Sequence, residues 1–147
     1  MIHLAGKFAP LGWNSRIFTE DDFARLCRKE KIKVIEIALI VPAFYLTTRG
    51  RRCIYLDHRL RGARRLHAAF HELAHYFLHV GAEPNAAFYF MREPRAREEL
   101  EAETFAAVAL IPQCVLREMS PGEIEEAFNY PRELVEFRLK VFELYGL

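Results

Sequence analysis

A chain of 147 residues, 52% hydrophobic and 28% charged, carries enough apolar material for one cored domain, expected over 1–147, and too little length for a second full one. Its formal charge of +1 offers no global field for nucleic acid or membrane, and three cysteines without a Cys-x-x-Cys pair suit neither a disulfide framework nor a thiolate zinc site. The first ten residues lack a signal-peptide core, and the longest apolar stretch, 34–46, is broken by Glu36 and Pro42, so a cytoplasmic protein is expected.

Residues 1–18 place Phe8, Trp13 and Phe18 among glycine and proline and read as an irregular arm on the core. Thr19 with Asp22 three places on resembles a capping box, and Phe23, Leu26 and Cys27 follow at helical spacing, which predicts an amphipathic helix over 20–29. The runs 34–40, 43–48 and 53–57 are rich in β-branched and aromatic residues and are separated by Val41-Pro42 and Arg49-Gly50-Arg51. Three strands joined by tight turns predict a small antiparallel sheet. Between Arg49 and Arg65 seven arginines face one acid, Asp57; this is either a solvated turn or, through Arg59, Arg61, Arg64 and Arg65, a docking strip for an acidic or phosphate-bearing substrate.

A helix follows over 63–80, with Gly81 as its C-terminal cap. Leu66, Phe70, Leu73, Phe77 and Val80 form its apolar stripe, and Glu72 is the only Asp, Glu, Lys or Arg between Leu66 and Val80. Four histidines, His67, His71, His75 and His79, recur one turn apart. Only His71 and His75 enclose a glutamate, in the pattern His-Glu-x-x-His. On a helix that spacing brings two imidazoles to one metal and sets Glu72 beside it as a general base. His67 and His79 are then supporting or surface residues. The aromatic stretch 86–91 reads as core packing, as an extra strand at the cleft rim or as an apolar flap over it, and Pro94 starts a second helix that Pro112 ends.

A catalytic zinc commonly has three protein ligands. At 100° per residue, Glu101 falls in the sector of Thr104, Phe105 and Val108, inside the apolar face, while Glu99 and Glu103 point the opposite way and Glu98 lies at the edge. Glu101 is therefore the expected third ligand. The helix bearing His71-Glu-Leu-Ala-His75, followed by Glu101-Ala-Glu-Thr-Phe-Ala-Ala-Val-Ala-Leu-Ile-Pro112, resembles the ImmA/IrrE family of zinc metallopeptidases. Phe70, the strand Ile54-Tyr55-Leu56-Asp57 and Arg138-Leu139 extend the likeness. The resemblance implies His71, His75 and Glu101 as zinc ligands and Glu72 as the catalytic glutamate. It also implies a protein substrate, typically a helix-turn-helix repressor of the Xre type. The chain departs from the family pattern at Ala74, where glycine is usual, and at Glu103, where asparagine is usual.

Ser120-Pro121-Gly122-Glu123 is a helix start, and the break at Asn129-Tyr130 gives 120–147 a helix-turn-helix-like outline. From Pro121 onward six acids stand against three basic residues, which argues for packing or partner contact over DNA. The expectation is an α+β zinc endopeptidase, with Tyr76, His67, His79 and Tyr89 as candidates for stabilising the oxyanion. The competing reading is a non-catalytic module that binds a repressor or toxin without cutting it.

Overall fold

A computed structural model describes residues 6–80 and 96–147. Gly81, the aromatic stretch with Tyr89, and Pro94 lie outside the described residues. The architecture is α+β. Helix α1 (Glu20–Lys29) opens on the expected capping box: Asp22 N–H donates to Thr19 Oγ1 at 3.4 Å, and Thr19 N–H donates to the Asp22 carboxylate at 3.0 Å. Arg16 donates to both oxygens of that carboxylate at 2.7 Å and holds it well below the usual carboxylate range.

Strands β1 (Ile32–Ile37), β2 (Ala43–Thr48) and β3 (Arg51–Asp57) form one sheet in the order β1-β3-β2. The β2–β3 hairpin is antiparallel, with Ala43 opposite Leu56. Strand β1, however, runs parallel to β3, from Ile32 opposite Arg52 to Ile37 opposite Asp57. The sheet is mixed, which corrects the antiparallel expectation. Five linking residues, 38–42, can reach roughly 17 Å, more than the roughly 10 Å of two strand spacings. The chain therefore steps across the middle position and leaves it to β3. Strand β1 ends at Ile37, where His58 N–H donates to Ile37 O at 3.0 Å, rather than at Ile40.

Among the described residues β2 is an edge strand of this sheet. Asp57 N–H donates to Pro42 O at 2.8 Å, so even-numbered residues of β2 face β3, and Ala43, Tyr45 and Thr47 turn their backbone groups outward.

Helix α2 (Gly62–His75) crosses behind the sheet and passes into a π-helical turn, Tyr76–Val80, where the sequence suggests uninterrupted α-helix. Helix α3 (Ala96–Leu110) packs along it and is followed by α4 (Gln113–Glu118), α5 (Pro121–Phe128) and α6 (Arg132–Tyr145). Phe70 and Leu73 of α2, Ile54 and Leu56 of β3, and Phe105 and Val108 of α3 are fully buried together. The N-terminal arm braces α3: Trp13 Nε1 donates to Phe105 O at 3.0 Å, Phe18 N–H donates to Ala109 O at 2.8 Å, and Phe8 meets the Phe105 ring edge-on at 4.8 Å. At the far end of α3, the buried Arg138 of α6 donates to Ile111 O at 2.6 Å and to Asn14 Oδ1 at 3.2 Å. Arm, α3 and α6 are thus tied at one point. No helix among the described residues is long and apolar enough to cross a membrane.

Candidate metal centre

Beyond Gly62, α2 carries four alanines and two leucines and no further glycine or proline, so His67, His71 and His75 line up on one face at one-turn intervals. His71 Nε2 and His75 Nε2 lie 3.1 Å apart. The Glu99 carboxylate of α3 completes a triangle, one oxygen 3.2 Å from His71 Nε2 and the other 3.2 Å from His75 Nε2. Among the described residues, these three bring their donor atoms together, all within 4.8 Å.

A tetrahedral ion with arms of roughly 2.0–2.1 Å separates its ligand atoms by roughly 3.3–3.4 Å. The 3.1 Å separation of the two imidazole nitrogens and the 3.2 Å approach of a Glu99 oxygen to each of them are close to that spacing; the two approaches use different oxygens of the carboxylate, and with one donor atom per residue the three lie within 4.8 Å.

Among the described residues the carboxylate that converges on the two rings is Glu99, where the sequence points to Glu101. Glu99 and Glu103 do not face away from α2. As residue numbers rise along α2 they fall along α3: His67 meets Glu103, and His75 meets Glu99. Glu101 is buried at 8% exposure, as its sector implies, but its carboxylate lies 3.2 Å from His79 Nε2 and 3.0 Å from Arg97 Nε. Almost all of α3 from Glu101 to Leu110 is buried, so the apolar sector marks the side that faces the core and says little about the side that faces the histidines. The overlooked signal was the match between Glu99 and Glu103, four apart, and His67, His71 and His75, also four apart.

Two relays back the histidine pair. On one side Glu103 lies 3.1 Å from His71 Nδ1 and 3.0 Å from His67 Nε2. On the other, His75 Nδ1 lies 3.1 Å from His79 Nδ1, and His79 leads to Glu101. The π turn beginning at Tyr76 carries His79 in this position. Such partners fix ring orientation at metal sites.

Electrostatics divide the pair. Burial and the neighbouring imidazoles of His71 and His79 push His75 down to about 3, which favours its neutral form. Burial works the same way on His71, but the Glu103 hydrogen bond and the charges of Glu72, Glu103 and Glu99 outweigh it and raise its value. Burial also opposes the charge on Glu103, yet His67 and His71 bring it down to about 2. Glu72 is pushed up to about 7, chiefly by burial, although His71 and the backbone N–H of Tyr45 favour its charged form.

A protein-family model for the IrrE N-terminal-like domain, Peptidase_M78, matches residues 27–140, from α1 into α6. The chain belongs to the ImmA/IrrE family of metallopeptidases. A search of curated proteins finds no match.

Within this ImmA/IrrE domain, the remaining sequence candidates are placed as follows. Tyr76 donates its hydroxyl to Glu30 at 2.8 Å, and burial together with that bond raises it to about 12. His67 and His79 serve in the two relays, and Tyr89 lies outside the described residues. Arg59 grips Asp57 and Leu39 O, Arg61 donates to His58 O and Leu60 O, and Arg65 spans Glu20 and Glu36 at 2.6 Å. Arg64 is exposed. The arginine strip is divided in two by β3, with Arg49 and Arg51 at one end of that strand and Arg59 onward at the other.

Proposed function

We propose that the chain is a zinc-dependent endopeptidase that cuts a helix-turn-helix repressor of the Xre type. The observation that carries the peptidase reading is the triangle of His71, His75 and Glu99 with Glu72 directly after the first histidine. A zinc ion held by those three residues supplies Lewis acidity toward a carbonyl and lowers the pKa of water. The chain's own residues do the rest. Glu72 takes a proton at its carboxylate and returns it to the leaving amine. Glu103 and His79 hold the two ligand rings in place from behind.

Strand β2 positions the substrate. Tyr45 N–H, one of its outward backbone groups, already meets the Glu72 carboxylate. A peptide pairing in extended form with the outer edge of β2, which pairs with no other strand among the described residues, therefore passes across the base, as in strand addition generally.

The ImmA/IrrE likeness supports a repressor as the protein cut, in the cytoplasm, to relieve repression of stress, phage or mobile-element genes. The test is incubation of zinc-loaded protein with the Xre-type repressor encoded nearest its gene, read by mass spectrometry. Wild type yields two fragments and Glu72→Gln yields none. If both leave the repressor equally intact with zinc bound, the peptidase reading fails and a binding module takes its place.

A further inference from the structure

The N-terminal arm touches both of the helical segments that carry the candidate metal centre. A short turn, Ala9–Leu11, closes at Gly12, whose φ is +81° and whose N–H donates to Ala9 O at 2.9 Å. That left-handed residue folds the arm so that Phe8 and Trp13, on either side of the turn, both reach Phe105 of α3, Phe8 edge-on at 4.8 Å and Trp13 stacked at 5.7 Å. Phe105 stands one turn after Glu101. The same Phe8 ring meets Phe77 of the π turn at 5.6 Å, and Lys7 Nζ donates to Phe77 O at 2.6 Å. Phe77 stands two residues before His79.

A π turn trades i→i+4 bonds for i→i+5 bonds, is rare, and occurs mostly as a single turn. Among the described residues the helical run ends at Val80, so Phe77 lies in its last turn, where carbonyls take donors from outside the helix and the helix dipole favours a cation. Lys7 brings both. The turn carries His79, whose Nδ1 lies 3.1 Å from Nδ1 of His75 and whose Nε2 lies 3.2 Å from the Glu101 carboxylate. His79 and Glu101 belong to different helical segments, and the Phe8 ring packs on a neighbour of each, Phe77 and Phe105. The arm therefore sets the gap that the contact between His79 and Glu101 spans.

We infer that Lys7 and Phe8 are positioning residues for the metal centre: they hold the π turn where His79 orients the ring of His75. The inference rests on the metal-site reading and extends it to a segment that supplies no ligand. The action runs from Lys7 to Phe77 O, along the turn to His79, and from His79 to His75. Glu103, which backs His71 from α3, belongs to the other relay.

The test uses full-length protein. Competition with a chromophoric chelator measures zinc affinity, and nitrogen NMR follows the imidazole rings in metal-free protein. Expected in Lys7→Met is a loss of zinc affinity of about three- to tenfold, the scale of one intramolecular hydrogen bond, with shifts of the His75 and His79 ring nitrogens and none at His67. Lys7→Arg, which keeps a donor and the charge, stays close to wild type in both readouts. His79→Phe keeps a ring without nitrogens and loses about 10- to 100-fold. Adding Lys7→Met to His79→Phe costs nothing more, whereas in Glu103→Gln the Lys7→Met loss persists in full, because sites on separate relays add. With zinc bound by wild type, an unchanged affinity or unchanged ring signals in Lys7→Met, or an equal Lys7→Met loss with and without His79, overturns the positioning role and leaves the metal site intact. If wild type binds no zinc while Lys7→Met still moves the His75 and His79 signals, the positioning role holds and the metal-site reading falls. No zinc binding together with unmoved ring signals overturns both.

Discussion

Glu72 should weaken the fold it belongs to whenever no metal is bound. Its carboxyl is raised from the ordinary 4.5 to about 7, mainly by burial. Between those values the folded chain keeps a proton that the unfolded chain releases, so stability falls as pH rises through the interval and the full loss is present above 7. The gap corresponds to about 3 kcal/mol at roughly 1.4 kcal/mol per pH unit. For a domain of this size that is on the order of 10 °C in Tm. Glu72→Gln keeps the shape and can still accept from Tyr45 N–H, but it cannot ionise. In the presence of a chelator, the variant should therefore melt on the order of 10 °C above wild type at pH 8. The two should converge to within about 1 kcal/mol at pH 5. Circular-dichroism melts at the two pH values provide the comparison. A variant that melts at or below wild type at pH 8 would refute the idea that burial of this carboxylate sets its pKa.

Glu99→Gln should cost more zinc affinity than either Glu101→Gln or Glu103→Gln, each of the latter losing about 10- to 100-fold as a residue behind the ligands. Competition with a chromophoric chelator measures all three, and a larger loss at Glu101 would restore the ligand set implied by the family likeness. Zinc affinity should fall as pH drops through the imidazole range, because both ligand histidines must be neutral to bind and the Glu103 bond favours protonated His71; a flat profile between pH 8 and 5 would contradict the histidine assignment. Metal-free protein should also lose stability in acid as His75, lowered to about 3, is neutral in the fold but protonated in the unfolded chain. That contribution is fully present above about 6.5 and disappears as pH falls toward 3, and His75→Gln should flatten it in pH-dependent urea melts. Arg138→Ala should destabilise by about 3–5 kcal/mol, since it opens a cavity and removes the side-chain donor to Ile111 O, while Asn14 Oδ1 keeps the Gln113 N–H; a urea midpoint equal to wild type would show the anchor to be dispensable.

Local chemistry was readable from the sequence wherever it depends on spacing along one element. The Thr19–Asp22 and Ser120–Glu123 capping boxes form as written. The pairing of His71 with His75, and the burial of Glu101 and Phe105 on one helix, also follow from helical periodicity alone. What could not be read depends on how elements meet. The parallel pairing of β1 depends on where a five-residue link lands, and nothing in its composition fixes that. The carboxylate nearest the histidines depends on the rotation of α3 between two neighbours, one apolar and one polar, and hydrophobic periodicity sees only the first. The π turn at Tyr76 has no composition signal, yet it brings His79 to His75 and to Glu101. The arginine strip looked continuous in sequence because β3, the strand that divides it, is only seven residues long.

Anomalous diffraction at the zinc edge, from crystals of zinc-loaded protein, tests the central assignment most directly. Expected is one peak per chain, bonded to His71 Nε2, His75 Nε2 and the Glu99 carboxylate, with Glu72 beside it and unbound. A peak held by Glu101 in place of Glu99, or a peak away from the α2–α3 interface, would contradict it.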